Sequence, residues 1–371
     1  MPKLKKLQNT LSAETLKHQL ESEGTPRTTL SFYQYVHLPE PQTLRNAVYV
    51  EWSALGVLGR IYLANEGVNA QLSLPTENLQ AFRAAIDQRK EFKDVPFKIA
   101  VEDEGYSFLK LTIKVRPKLV ADGLADDVFD TTNVGEHLDA KTFNQKMGEG
   151  ATVVDMRNNY EAMIGHFEGA LLPKSDTFRG ALEEMLDLLK DKKDEPLLMY
   201  CTGGIRCEKA SAWFRHHGYT NVGQLHGGII DYARQVKAEE LTNRYKGQNF
   251  VFDGRLAERI SDDVVSNCMQ CGVPNDRITN CQMATCNLLL VQCKMCASEY
   301  ANCCSPSCRE IHLLPEDIQR EWRKGRPSKS AKSKAITDPE ALRSRIKREE
   351  ELLSKTGTLH PELRTISALI K

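Results

Sequence analysis

The first third of the chain alternates apolar with polar positions, with helical spacing between the alternating segments. Alternation is typical of strands with one buried face, and apolar residues three or four apart are typical of helices. The alternating segments are 31–38, 58–74 (two strands around a turn) and 108–118, and the helical segments are 44–56 and 76–88. The order β-α-β-β-α-β predicts a ferredoxin-like α+β domain over residues 31–118, after a polar arm over 1–30.

After a polar linker over 119–135, short apolar strands alternate with helices. The strands are expected at 152–157, 196–200 and 221–228, and the helices at 181–191, 206–218 and 229–240. This alternation predicts a second domain, of the α/β class with a parallel sheet, over residues 136–245. Ligands of such sheets bind at the carboxyl ends of the strands, and Cys201 directly follows one of those ends.

The third region, 246–320, is rich in cysteine. Nine of the eleven cysteines lie there: Cys268, Cys271, Cys281, Cys286, Cys293, Cys296, Cys303, Cys304 and Cys308. Two CxxC pairs and further paired cysteines in so short a stretch predict structural zinc. With four thiolates for each ion, nine cysteines make two sites and leave one over, which we expect to be Cys303 or Cys304. An iron–sulfur cluster or regulatory disulfides remain alternatives.

Charge is distributed unevenly, although the net charge of the chain is zero. Between Arg320 and Arg348 there are eleven Lys/Arg and three Asp/Glu, so we expect a basic linker and one C-terminal helix over 321–371. Such blocks are usually solvated, but they also occur in proteins that bind nucleic acids. The N-terminus has no apolar segment typical of a secretory signal, and no apolar run is long enough to cross a membrane. A cytoplasmic location without membrane contact is therefore expected.

Cys201 enters a loop that leads from a strand to a helix. Gly203 and Gly204 allow the backbone to curl so that its N–H groups point inward and form an anion-binding nest with the helix N-terminus. A thiol there is expected to have its pKa lowered to ~3.5–7.5, and Arg206 adds a fixed positive charge. A buried structural cysteine is the simpler alternative. Four residues separate Cys201 from Arg206, too few for the five-residue spacing of cysteine phosphatases, so a phosphatase is disfavoured.

Several segments carry a resemblance to known proteins. DMRNNYEAMIGHFEGA, MYCTGGIRCEKASAW and LHGGIIDY resemble a rhodanese domain, and FYQYVHL, LANEGVN, FLKLTIKVRPKLVADG and NFVFDGRLAERIS extend the resemblance to about residues 31–310. Together they resemble the rhodanese-domain tRNA uridine hydroxylase family. The resemblance implies a rhodanese fold for 136–245 and an oxidoreductase that uses molecular oxygen to form 5-hydroxyuridine at the tRNA wobble position.

The same resemblance implies roles for the active loop. Cys201 would be the catalytic residue, passing through a persulfide or another oxidised sulfur state. Its negative charge would be stabilised by Arg206 and by the backbone of Thr202, Gly203, Gly204 and Ile205. Cys207 would either resolve an oxidised Cys201 as a disulfide or serve as a small buried helix residue. The alternative functions are a rhodanese-type sulfurtransferase that carries a persulfide to an acceptor, and a non-catalytic RNA-binding protein.

Oxygen activation does not follow from these motifs. The chain has no G-x-G-x-x-G sequence, so no flavin or nicotinamide motif is seen. His137 and Asp139, with His166 and Glu168, superficially match a two-His-one-carboxylate iron site, although a structural role suffices for the second pair. The oligomeric state also stays open.

Basic side chains near the linker are candidates for RNA contacts. We select Arg116 and Lys118, at the end of the last predicted strand of the first domain, and Arg179, in the loop before a predicted helix. A solvated strand face explains the first two equally well.

Overall fold

The computed structural model describes residues 7, 9, 11–102, 106–125, 128–326 and 338–363. The chain divides into two compact units. The first comprises Met1–Asn158, Phe167–Arg244 and Asn249–Ile260, and the second comprises Asn159–His166, Tyr245–Gln248 and Ser261–Lys371.

The first unit begins with an α+β domain. Its elements are α1 (Ala13–Glu23), β1 (Arg27–Tyr35), α2 (Pro41–Ala54), β2 (Leu58–Ala64), β3 (Gly67–Pro75), a 3-10 turn (Thr76–Asn78), α3 (Leu79–Asp87), β4 (Lys98–Ile99) and β5 (Leu111–Val115). The sheet order is β4-β1-β3-β2-β5. The first four strands have the ferredoxin-like arrangement, and β5 extends the sheet parallel to β2. Apolar side chains from one face of the sheet pack with α2 and α3 in a core that includes Phe32, Trp52 and Phe82.

The ferredoxin-like fold is thus confirmed, but its last strand was assigned wrongly. The alternating run 108–118 predicted that strand, whereas β5 is the additional edge strand and β4 takes the expected position beside β1. β4 has two residues, too few to show any alternation. The region expected to be a polar arm contains α1 and the start of β1, and Leu16 and Leu20 of α1 are buried.

The first unit continues with an α/β domain. Its elements are β6 (Glu136–Leu138), α4 (Ala140–Gly148), β7 (Thr152–Asp155), α6 (Phe178–Leu188), β9 (Leu197–Tyr200), α7 (Ile205–His216), β10 (Val222–Leu225) and α8 (Gly228–Ala238). The sheet is parallel, as predicted from the alternation of strands and helices, and its strand order is β6-β10-β9-β7. α7 ends before Gly218, whose φ of +88° is the left-handed value expected after a helix C-terminus.

A separate three-stranded sheet has the order β12-β11-β8. Its strands are β8 (Gly165–Phe167), β11 (Tyr245–Phe250) and β12 (Ala257–Arg259).

The second unit holds the cysteine-rich region and the C-terminal helices. Its elements are α5 (Asn159–Ala162), β13 (Ile278–Asn280), β14 (Leu289–Val291), α9 (Lys294–Glu299), α10 (Pro306–His312), α11 (Glu316–Arg323) and α12 (Pro339–Thr356). α12 packs on the cysteine-rich region, where Glu350 accepts a hydrogen bond from the Tyr300 hydroxyl at 2.7 Å. Most of the basic linker predicted before α12 lies outside the described residues. Among the described helices, none is long and apolar enough to cross a membrane.

Candidate active site

Cys201 stands directly after β9, and a buried polar cluster fixes the end of that strand. Asp155, at the end of the neighbouring β7, accepts hydrogen bonds from the Tyr200 hydroxyl at 2.7 Å and from Arg157 Nη2 at 2.6 Å. Both members of the Asp155–Arg157 ion pair are fully buried. These buried polar groups meet one another's hydrogen-bonding needs, and they hold Tyr200, the last residue of β9, in place directly before Cys201.

The Cys201 thiol is fully buried and surrounded by groups that favour its charged form. The Gly204 N–H donates to the Cys201 sulfur at 3.2 Å, at the N-terminus of α7. Burial raises the pKa of this thiol. The Cys207 thiol, the Arg206 charge and backbone N–H groups lower the pKa by more than burial raises it, to about 6. Cys201 is therefore largely thiolate at neutral pH.

The two neighbours of this thiolate differ in protonation and contacts. The pKa of the buried Cys207 thiol is raised by burial and by the hydrogen bond to Cys201, so Cys207 stays protonated and donates. Arg206 is almost fully buried, its Nη2 donates to Thr202 Oγ1 at 3.1 Å, and its guanidinium lies 5.8 Å from the Phe252 ring centre. The loop thus holds one anion between a fixed cation and a neutral thiol.

The glycine turn at the start of α8 packs against the back of the active loop. The Ile229 N–H donates to the Cys201 carbonyl at 3.0 Å, and the Ile230 N–H donates to the Thr202 carbonyl at 3.2 Å. Gly228 has a φ of +67°, and a Cβ there would lie 2.5 Å from the Cys201 carbonyl oxygen. Only glycine allows this approach, and the turn fixes the backbone that carries the thiol.

A cavity of about 350 Å³ opens in front of Cys201. One wall is the active loop, with Thr202, Gly203, Ile205 and Arg206, and part of another is an apolar set that includes Phe108 and Phe252. The remaining wall belongs to the α+β domain: Ser31 and Tyr33 of β1, Arg60 and Tyr62 of β2, Asn69 and Gln71 of β3, and Lys98 of β4. The cavity is therefore assembled from both domains of the first unit.

The cavity residues of the α+β domain were not predicted from the sequence. In β3 the apolar positions Val68, Ala70 and Leu72 enter the core, and Asn69 and Gln71 alternate with them on the opposite face. The signal was present as alternation, but alternation alone does not show what covers the polar face.

Two residues from this wall contact the loop region. Lys98 is buried, lies over the Tyr33 ring at 4.5 Å, and has its pKa lowered by burial. The Tyr33 hydroxyl donates to Glu208 Oε1 at 2.9 Å, and the same oxygen lies 3.0 Å from His137 Nε2. Glu208 of α7 thereby ties the first domain to the helix that follows the active loop.

Two of the three predicted RNA-contacting residues, Lys118 and Arg179, contact the loop at residues 122–124. Arg116 is exposed and its guanidinium lies 5.6 Å from the Tyr62 ring centre. Lys118 Nζ donates to Asp122 at 3.1 Å and to the Leu124 carbonyl at 2.7 Å, so this lysine also organises its own loop. The exposed Arg179 packs against the same loop, because a Cβ on Gly123 would meet its Cδ. Their role in RNA binding stays a prediction.

The histidine–acid pairs have local partners in the structure. Asp139 caps α4, His137 contacts Glu208, and His166 Nδ1 lies 3.0 Å from the Ala162 carbonyl oxygen. Among the described residues, groups of three or more potential ligand atoms within 4.8 Å of one another occur at the cysteines alone.

The clustered cysteines form two groups of four. One group is Cys268, Cys271, Cys293 and Cys296, and the other is Cys281, Cys286, Cys304 and Cys308. Within each group the sulfur atoms lie within 4.8 Å of one another, a spacing that fits tetrahedral thiolate ligation of one ion. Cys303 belongs to neither group, as expected for one member of the Cys303–Cys304 pair. Ligand pairs of the two groups alternate along the chain. An ion in either group would therefore connect two segments that have a ligand pair of the other group between them.

Known proteins share this architecture. Family models match an acylphosphatase-like domain described as UPF0176 at residues 27–119, a rhodanese-like domain at 139–235 and a domain described as Rhodanase C-terminal at 246–309. A protein of Leptospira interrogans is 55% identical over 325 residues, 87% of this chain and 89% of its own length. Proteins of Cronobacter sakazakii and Photorhabdus laumondii are each 48% identical over 322 residues, 86% of this chain and 92% of their own. All three are named tRNA uridine(34) hydroxylase.

The chain belongs to the tRNA uridine(34) hydroxylase family. This membership confirms the resemblance drawn from the sequence motifs, and it makes the protein an enzyme. The match at 139–235 contains the whole active loop, and the match at 246–309 contains all nine clustered cysteines. The predicted fold class, with its ferredoxin-like, rhodanese and cysteine-rich parts, is likewise confirmed.

Proposed function

We propose that this protein hydroxylates uridine 34 of tRNA and that Cys201 is its catalytic residue. The observation that carries the proposal is the Cys201 thiolate, which has a pKa of about 6 and stands at a cavity in a chain of this family. A non-catalytic RNA-binding protein needs no such thiol. The tRNA substrate agrees with the cytoplasmic location predicted from the sequence.

The proposed reaction is an oxygen-dependent oxidation. Exchange of the C5–H of uracil for C5–OH with O2 leaves one oxygen atom to become water, which requires two further electrons from a reductant and two protons. The Cys201 thiolate and the Cys207 thiol supply the two electrons when they close to a disulfide. Cys207 releases one of the two protons and solvent supplies the other, and an external thiol then restores the pair. The Cys207 hydrogen bond to Cys201 places this second sulfur beside the first. A persulfide on Cys201 is the other sulfur state that the sequence resemblance implies.

The cysteine groups fit zinc and are proposed to be structural. Four cysteine sulfurs that lie within 4.8 Å of one another match the four-thiolate ligand set of structural zinc, and each ion would lock a module that has few apolar residues. Such knuckles are also suited to gripping RNA. Arg116, Lys118 and Arg179 are proposed to contact tRNA phosphates, in which case tRNA affinity falls steeply as salt concentration rises.

The decisive experiment compares tRNA nucleosides by mass spectrometry after reaction of purified protein with tRNA, O2 and a thiol reductant. We expect 5-hydroxyuridine with the wild-type protein and none with Cys201→Ser, whose hydroxyl preserves size but not thiolate chemistry. Arg215→Met is the matched control, because Arg215 lies near the C-terminus of α7, the helix that follows the active loop. Absence of 5-hydroxyuridine combined with thiosulfate-dependent sulfur transfer would instead indicate the sulfurtransferase.

The sulfur state can be read separately. Peptide mass spectrometry after a single turnover without external reductant is expected to show a Cys201–Cys207 disulfide, identified by the loss of two hydrogens. An added sulfur atom on Cys201 would support the persulfide route.

A further inference from the structure

The polar wall of the cavity carries side chains for which the structure shows no internal role. Asn69 and Gln71 alternate along β3 on the face turned away from the core, and both are half-buried at the cavity. Among the described residues, neither carboxamide has a hydrogen-bond partner. A polar side chain at a partly enclosed site without a partner is a group available to a ligand.

The strand register fixes what lies beside these carboxamides. Gln71 of β3 stands directly opposite Arg60 of β2, and Asn69 stands opposite Tyr62. Side chains of directly opposed residues in antiparallel strands have Cβ atoms about 4.5–5.5 Å apart. Gln71 therefore has Arg60 beside it on β2, Ser31 beside it on β1, and Asn69 two residues along its own strand.

Arg60 is chemically different from its two neighbours. Its guanidinium has donors only, whereas each carboxamide has one oxygen that accepts and one NH2 that donates. The Arg60 side chain is largely exposed, with one contact of 3.5 Å from Nη1 to the Phe252 carbonyl oxygen. Arg60 and Asn69 flank Gln71 at a corner, one across the strands and one along β3, and the three side chains can present donor, acceptor and donor around it.

Uracil has the complementary edge. Its Watson–Crick edge presents O4 as an acceptor, N3–H as a donor and O2 as an acceptor. We propose that Arg60, Gln71 and Asn69 bind this edge of the target base, with N3–H donating to the Gln71 side-chain oxygen. Cytosine would place its amino group against a donor-only guanidinium, so Arg60 makes the site selective for uracil over cytosine.

The cavity is suited in size and position to one flipped-out base. Its volume of about 350 Å³ is near the lower end of the ~300–1,000 Å³ range of small-molecule sites, enough for one nucleoside but not for a stretch of RNA. Enzymes that modify a base commonly take it out of its stack into a pocket and read its Watson–Crick edge. Tyr62 and Phe252 offer aromatic surface in the same cavity, and Cys201 lies in its wall.

This assignment rests on the proposed function, and its test perturbs the protein and the base together. The variants are Gln71→Met and Asn69→Leu, which remove the carboxamides while preserving similar side-chain size. Gln34→Met is the matched control, because Gln34 is a half-buried glutamine of the same sheet that does not line the cavity. Each protein is assayed for hydroxylation of one tRNA carrying uridine at position 34 and of the same tRNA carrying N3-methyluridine there.

The wild-type protein is expected to lose about 10- to 100-fold in kcat/KM when N3 is methylated, because the methyl group removes the donor. Gln71→Met is expected to lose about 10- to 100-fold on the unmethylated tRNA, and methylation should then cost it less than about twofold. Asn69→Leu is expected to lose activity in the same direction, and Gln34→Met to match the wild type. Overall tRNA affinity should change by less than about twofold in all variants, because phosphate contacts dominate it.

Two further measurements separate base binding from damage to the fold. The thermal unfolding temperature and the Cys201 thiolate titration are expected to be unchanged in Gln71→Met. Activity of both cavity variants within twofold of wild type, or a full methylation penalty that persists in Gln71→Met, overturns the assignment alone. Absence of 5-hydroxyuridine with the wild-type protein overturns the proposed function and this assignment together.

Discussion

At the scale of single residues, the active loop gives two cysteine thiols opposite pKa shifts. Cys201 and Cys207 are both fully buried, and burial alone raises the pKa of each thiol. Cys201 also receives the Gly204 N–H, the Arg206 charge and the Cys207 thiol hydrogen bond, and these donors favour its anion. One hydrogen bond cannot stabilise negative charge at both ends, so the anion is located on Cys201.

This asymmetry predicts the titration of Cys201. Thiolate absorbance, taken as the difference between wild type and Cys201→Ser, is expected to rise with pH through a midpoint near 6 and to stay constant above it. Arg206→Met removes the fixed charge, so its midpoint should move upward toward the ordinary value of ~8.5.

Arg215→Met is the control for that titration. Arg215 lies on the same helix, its Nε donates to Asn133 at 2.9 Å, and its loss should leave the midpoint unchanged. An unshifted midpoint in Arg206→Met would show that the Cys207 thiol and the backbone N–H groups set the pKa of Cys201 without the arginine.

Site residues that lie within one continuous segment of the chain could be predicted from the sequence, whereas site residues contributed by the other domain could not. The spacing of Cys201, Gly203, Gly204 and Arg206 within one strand–loop–helix segment was enough to predict a thiolate nest. Lys98 reaches the cavity from a two-residue strand more than a hundred positions earlier, so no local pattern connected it with Cys201. Tertiary packing alone brings such groups together.

At the scale of elements, the end of β9 depends on a buried ion pair. Removing one partner of a buried pair leaves an uncompensated charge, which commonly costs about 3–5 kcal/mol. Arg157→Met is therefore expected to lower the free energy of unfolding by about that amount, measured by urea denaturation.

Lys192→Met is the matched control for the ion pair. Lys192 pairs with Glu195 at 2.9 Å, but both side chains are about half exposed, so the cost should stay within about 1 kcal/mol. Equal losses of unfolding free energy in the two variants would contradict a stabilising role of the buried Asp155–Arg157 pair.

The Gly228 turn gives a second prediction at this scale. Gly228→Ala adds a Cβ about 2.5 Å from the Cys201 carbonyl oxygen in a left-handed backbone conformation, so the active loop must shift. We expect both a lower unfolding temperature and a displaced Cys201 thiolate midpoint.

Gly169→Ala separates strain from contact. Gly169 has a similar φ of +69° but nothing within 4 Å of an added Cβ, so this variant should show only the conformational cost of roughly 1–3 kcal/mol. A Cys201 midpoint that moves equally in both variants would contradict a specific contact between the turn and the loop.

Long periodic elements were predicted well at this scale, and short ones were not. The β2–β3 hairpin and α7 carry enough residues for their period to show, and their observed bounds lie close to those predicted. β4 and the 3-10 turn before α3 are held by their neighbours and have no period of their own.

At the scale of the whole molecule, the cysteine-rich module depends on the order in which its ligands alternate. Each four-cysteine group takes two ligands from one segment and two from a later segment. The paired strands β13 and β14 lie between the two halves of the first group, in residues 272–292. Losing either ion would therefore release segments that also hold the other. Spacing alone predicted two sites and one spare cysteine, but the assignment of pairs required the folded chain.

Adjacent cysteines provide the sharpest test of this arrangement. Cys304 belongs to the second group, whereas its neighbour Cys303 belongs to neither, and both are buried. Elemental analysis of anaerobically purified protein is expected to find two zinc ions per chain in wild type and in Cys303→Ser. Cys304→Ser should lose at least one ion and unfold at a lower temperature, because a tetrahedral site with three thiolates binds zinc more weakly. Equal metal content in the two serine variants would contradict the grouping, and iron in place of zinc would contradict the proposed metal while leaving the grouping intact.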